Sequence, residues 1–377
     1  MAKLLFPLGL VAVLLNILLH TVSGASLSDL FIVHDGGSNG GCNAYYDQAT
    51  GTGTLDNWLD ESIYSITTAI NYLSIDVYND DIKVRRALYM FFHIPNRKNL
   101  IKGSDRANDL EKIAGNLKRV EDFFNYARNP EDGKPIYPMN GNRYLFCGSD
   151  FVVQQTEDTP ARDWQGNVIY DGQGNQLTIG NMPGYNEEIV KEENNKVWWS
   201  GDYTPINAYY FSAKGADFCS GPLLGLTTTI KQVDQNLQQR TIESVVICGS
   251  AFTNGQPNTY RDGVALIKEG TTTLQTVLPK SATLLHETFH VIFGAGEAGF
   301  LEDTNEFYDI IQILESPTKT AMRNPESYVL LIAHLYYLFG QPDGNEGTSI
   351  DRNWDFVVKG SGGNRGLRAK TPGGKTA

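Results

Sequence analysis

Thr283-Leu284-Leu285-His286-Glu287-Thr288-Phe289-His290-Val291-Ile292 places the pattern HExxH inside an apolar run, and the 377-residue chain is read outward from it. Residues four apart share a face of a helix. His286 and His290 therefore point the same way, and both imidazoles can reach one metal ion. Glu287 lies on the neighbouring flank, where it can take a proton from water activated by that ion. Apolar residues on either side predict a buried helix over 282–293, stopped by the glycines of 294–299. Burial would dry such a site and strengthen its electrostatics.

A catalytic zinc takes three protein ligands and keeps one position open, so a third ligand is expected. Of the chain's six histidines, His20 lies in the N-terminal apolar segment. His34 and His93 are far upstream and read as polar neighbours of a turn or core. His334 falls inside an apolar helix and reads as a core residue. The acidic segment Glu302-Asp303-Thr304-Asn305-Glu306-Phe307-Tyr308-Asp309 is better placed, at the predicted start of a helix running from about 304 to 314. A further helix follows, with Asn324 as its cap, Pro325 in its first turn, Glu326 at the positive end of its dipole, and Gly340 as its stop.

The succession of HETFH, the Thr304–Tyr308 segment and Asn324-Pro325-Glu326-Ser327-Tyr328 resembles the deuterolysin and peptidyl-lysine metalloendopeptidase family, the aspzincins. The resemblance spans about 60 residues, 284–339. It implies a zincin-like α+β fold, predominantly helical around its active site, with bound Zn2+ and peptide or protein substrates. A preference for lysine beyond the cut is part of what it implies. In that family HExxH is followed by GTxDxxYG, whose Asp is the third ligand and whose Tyr stabilises the oxyanion. Aligning the Tyr on Tyr308 puts Asn305 at the ligand position, with Asp303 where Thr is usual and Asp309 where Gly is usual. Asn305 ranks first by motif, Glu306 second by chemistry and Asp303 third. Glu306 as ligand would also fit a gluzincin, although its spacing from His290 is short for that clan. Glu326, at the place of a family Asp, is a candidate to orient a ligand histidine.

The expected activity is that of a secreted zinc endopeptidase with Glu287 as general base and Tyr308 as oxyanion donor. Asn305 raises an alternative, a catalytically inactive relative serving as a secreted binding protein or effector. A structural zinc site would need a fourth ligand, which the sequence does not offer.

Composition bounds these expectations. A net charge of −12, from 43 acidic and 31 basic residues, argues against nucleic-acid binding, which needs a basic footprint. Lys3, the apolar run 4–19 and the small residues of 21–25 read as a signal peptide over 1–24. A run of about 16 apolar residues is short for a membrane anchor, and no later segment would span a bilayer, so stable membrane insertion is not expected. Cys42, Cys147, Cys219 and Cys248 form no CxxC pair and suggest two disulfides with three possible pairings. No Asn-x-Ser/Thr sequon occurs. The chain is expected to be a monomer.

Periodicity predicts helices over 56–73, 83–92 and 109–127. Residues 129–204 read as loops with short strands, and no repeat is evident. Strands are expected near 30–33, 207–211 and 244–247. The expected organisation is an N-terminal region at 25–204, either a propeptide or integral, a catalytic region at 205–355, and a disordered basic tail at 356–377. Trp198, Trp199, Tyr209 and Tyr210 read as core residues, with a substrate cleft as the alternative.

Overall fold

The computed structural model describes residues 25–37, 39–139, 143–188, 196–202, 204, 206–211, 219–294, 300, 306–342, 353–362 and 365–371. The expected signal segment 1–24, His20, Asp303 and Asn305 lie outside the described residues. In chain order the principal elements are β1 (Ile32–Val33), α1 (Thr54–Asn71), α2 (Ile82–Phe92), α3 (Asp105–Phe124), β2 (Arg143–Phe146), β3 (Val153–Gln155), β4 (Val197–Trp199), β5 (Tyr209–Phe211), β6 (Gly225–Val233) and β7 (Gln239–Ile247). Then follow α4 (Tyr260–Leu266), α5 (Ala282–Phe293), α6 (Ile310–Glu315), α7 (Pro325–Phe339), β8 (Asp355–Lys359) and β9 (Gly366–Lys370). The chain is thus a mixed helix and sheet protein.

The helices begin where side chains can satisfy their open N–H groups. Asp81 accepts from the amides of Lys83 and Val84 to start α2, and Ser104 accepts from Ala107 to start α3. His93 closes α2 in the left-handed conformation, at φ 55°. That end-cap position accounts for a histidine with no part in the site.

Seven strands form one sheet in the order β1-β2-β7-β6-β5-β4-β3. β1, β2 and β7 run parallel and the remaining pairs are antiparallel. The C-terminal half supplies the central strands β5, β6 and β7, and the N-terminal half supplies both flanks. Strands from residues 25–204 therefore belong to the same sheet as those from the C-terminal half. The helices pack on one face, with Leu145, Val245 and Ile247 joining residues of α1, α2, α3, α5 and α7 in one core. The other face is covered by a smaller cluster of Phe146, Phe151, Tyr210, Leu226, Ile230, Ile242 and Val246.

Two disulfides form, Cys42–Cys147 and Cys219–Cys248. Neither crosses the boundary near residue 204; the β2–β7 pairing does so instead. Disulfides fit an oxidising compartment, and no described helix is long and apolar enough to cross a membrane. Both features are compatible with an extracellular protein.

Three expectations are corrected. Instead of a disordered tail, β8 and β9 form an antiparallel hairpin, which buries Phe356, Leu367 and Ala369. The alternation of these residues with Lys and Arg overrides the glycine-rich composition. A short repeat is also present: Asp163-Trp-Gln-Gly-Asn and Asp171-Gly-Gln-Gly-Asn recur eight residues apart. In each, the Asp accepts from two downstream amides, and a glycine takes φ 85°. Finally, β6 was not anticipated. Its β-branched Thr227, Thr228, Thr229, Ile230 and Val233 suit a strand, but they lack a clear apolar alternation.

Candidate metal centre

α5 is buried along nearly its whole length, from Thr283 to Val291. Phe289 packs behind it against Phe300 and Tyr328, at ring-centroid distances of 5.7 and 5.0 Å. At its N-terminal end the Ser281 hydroxyl bonds Glu61 of α1, which also accepts from the Tyr260 amide. Burial pushes the Glu61 carboxyl up to about 7. At the other end Gly294, at φ 65°, turns the chain away. The helix is thus fixed at both ends and along its back.

His286 and His290 project from one face, with ring centroids 5.3 Å apart. Glu306 meets them both: Oε2 lies 3.1 Å from His286 Nε2 and Oε1 lies 2.8 Å from His290 Nε2. The ligand atoms of the three residues all lie within 4.8 Å of one another. Burial works against a charged Glu306, but the hydrogen bonds from His286 and His290 outweigh it and hold the carboxyl well below the usual range.

On its far side, His286 Nδ1 lies 3.3 Å from Glu326 Oε2. Burial opposes protonation of His286, yet the bonds to Glu306 and Glu326 raise its pKa well above the ordinary value. A neutral imidazole has one N–H to give, whereas His286 faces a carboxylate at each nitrogen. Two arrangements resolve this: an imidazolium, or a cation between Nε2 and Glu306 with Nδ1–H donated to Glu326. The second is the usual outer support of a metal-bound histidine. A tetrahedral zinc with bonds of 2.0–2.2 Å separates its ligands by about 3.4 Å, close to the distances here. Two imidazoles and a carboxylate are also a donor set that zinc takes in catalytic sites. The residues present fit the ion.

The Asn324-Pro325-Glu326-Ser327-Tyr328 segment acquires a physical role at each polar position. Asn324 does not cap α7 with its side chain. Instead it clamps the backbone of Phe307, accepting from its amide at 3.1 Å and donating to its carbonyl at 3.1 Å. That clamp sets the residue next to Glu306. Asn324 also donates to Ser327 Oγ. Tyr328, fully buried, donates to the Met322 carbonyl and accepts from Asn116 of α3. The helix expected from about 304 starts only at Ile310, capped by Asp309, and Glu306 stands on irregular backbone before it.

Tyr308 sits at the rim, 48% exposed. Its ring stacks on His286 at 5.7 Å, and its hydroxyl donates to Glu306 Oε2 at 2.5 Å. The hydroxyl thus braces the carboxylate in this structure. Glu287, 4% exposed, faces β6: Thr227 Oγ1 lies 2.9 Å from its Oε2 and 3.0 Å from its backbone oxygen. Sequence reasoning missed Thr227 because the contact spans 60 residues on a strand it did not anticipate.

The remaining candidates lie elsewhere. His34 bonds the Asn39 carbonyl, and His334 is buried beside Asp355. Trp199 and Tyr209 pack in one sheet-face cluster, and Tyr210, with Trp198 against it, in another. Comparison of the chain with models of known protein families, with curated proteins and with solved structures finds no match.

Proposed function

We propose that the chain is a secreted zinc-dependent endopeptidase with a zincin-like catalytic region. The observation that carries this reading is the convergence of His286, His290 and Glu306, with Glu287 held one residue along the same helix. His286, His290 and Glu306 would hold the ion, which supplies Lewis acidity to polarise a peptide carbonyl and to acidify water. Glu287 takes the proton of the attacking water on its carboxylate and returns it to the leaving amine. Glu326 keeps the Nδ1 proton of His286 and so keeps Nε2 available for coordination. Tyr308 and the Asn324 clamp hold Glu306 in register.

The test is zinc content and casein cleavage for wild type and Glu287→Gln. About one zinc per chain in both, with cleavage by wild type alone, is expected. A correctly folded wild type with neither zinc nor cleavage would overturn the reading in favour of a binding protein.

A further inference from the structure

Glu287 must present its carboxylate in one orientation if it is to act, and a glutamate has three rotatable bonds with which to avoid doing so. The reach from α5 to β6 removes that freedom. Alternate residues of β6 face opposite sides of the sheet: Leu226 and Ile230 enter the cluster on the far face, so Gly225 and Thr227 face α5. The half-buried Thr227 places its hydroxyl 2.9 Å from Glu287 Oε2 and 3.0 Å from the Glu287 backbone oxygen, touching the residue at both ends. Gly225 makes the space. A Cβ there would stand 2.9 Å from Glu287 Oε1, 3.1 Å from Cγ and 3.2 Å from Cδ. Gly225 does not have a positive φ, so room for the carboxylate is the reason for glycine here.

We propose that Thr227 and Gly225 are positioning residues for Glu287, an assignment that rests on the peptidase reading for its catalytic meaning but not for its geometry. A hydroxyl suits the task because it both donates and accepts. While Glu287 is ionised, the Thr227 proton goes to Oε2 in a charge-assisted bond. The same hydroxyl oxygen stands 3.0 Å from the Glu287 backbone oxygen, so Thr227 ties the carboxylate to the backbone of its own residue.

The experiment compares wild type, Thr227→Val, Thr227→Ser and Gly225→Ala as zinc-incubated proteins, by crystallography and by steady-state kinetics on a peptide. The carboxylate is expected in place in wild type and Thr227→Ser, and displaced in Thr227→Val and Gly225→Ala. A shift near 1 Å should lower kcat about a hundredfold in the last two, with KM and zinc content unchanged, and Thr227→Ser should keep most of the activity. An undisplaced carboxylate in Thr227→Val, or equal damage in Thr227→Ser, would overturn the assignment. If Thr227→Val fails to fold, Gly225→Ala and Thr227→Ser carry the same comparison. Displacement in Thr227→Val and Gly225→Ala, alongside a wild type with its carboxylate in place but no activity, would uphold the positioning and reject the peptidase.

Discussion

Asn305 and Glu306 are neighbours that differ by a charge and a methylene, and the proposed zinc site depends on which of them would be the third ligand. A carboxylate offsets one of the ion's two charges in a buried pocket, whereas an amide offsets none. Glu306 stands between both imidazoles, so Glu306→Ala is expected to abolish stoichiometric zinc binding, and Asn305→Ala to leave about one zinc per chain. Metal analysis after dialysis reads both, and zinc loss in Asn305→Ala would reverse the assignment. Glu326→Ala should weaken zinc affinity by about 10–100-fold through loss of its bond to His286 Nδ1, measurable by chelator competition. The histidine pair and Glu287 were legible because helical spacing is local. Glu306 was legible only as one of three candidates, since irregular backbone carries it and no periodicity reports where such a side chain points.

The docking of the β8–β9 hairpin against α7 carries the clearest pH dependence. His334 is fully buried, 3.5 Å from Asp355 at the start of β8, and Asp355 also pairs with Arg86 of α2. Burial pulls the His334 pKa down to about 4, against a partial restoring pull from Asp355. The unfolded chain therefore binds this proton below its ordinary pKa of about 6.5, and the folded chain only near 4. Stability from this group is complete above 6.5 and falls as pH drops towards 4, by about 3 kcal/mol. Glu61 runs the other way: its raised pKa favours the fold at acid pH and disfavours it as pH rises towards 7. The comparison of His334→Leu with wild type isolates the histidine, and urea unfolding across pH 4–7 should show a shallower acid decline in the variant. An identical slope would remove His334 from the account. This hairpin was hidden in the sequence by its glycines and basic residues, because composition reports solvation while the burial of Leu367 and Ala369 depends on a distant surface. The helices α1, α2 and α3 were legible within a few residues of their ends, since each owes its pattern to a single apolar face.

At the scale of the molecule, the Cys42–Cys147 bridge spans 105 residues and the Cys219–Cys248 bridge 29. Loop-closure entropy assigns about 4–5 kcal/mol to the longer loop and about 3.5 kcal/mol to the shorter. The double variant Cys42→Ser, Cys147→Ser should accordingly lose more stability in urea unfolding than Cys219→Ser, Cys248→Ser, and the reverse order would show that native-state strain dominates. The arrangement of the sheet has a consequence for the birth of the protein. A ribosome delivers β1 to β4 first, yet these are the two outer wings of the sheet, and the strands that join them arrive afterwards. Until residue 247 has emerged, both wings wait with open edges, and the non-local pairing that completes them is intrinsically slow. A nascent chain stalled before β7 would hold two unjoined halves, vulnerable to proteases and to pairing with other chains. A chain released whole would close its sheet from the middle outward.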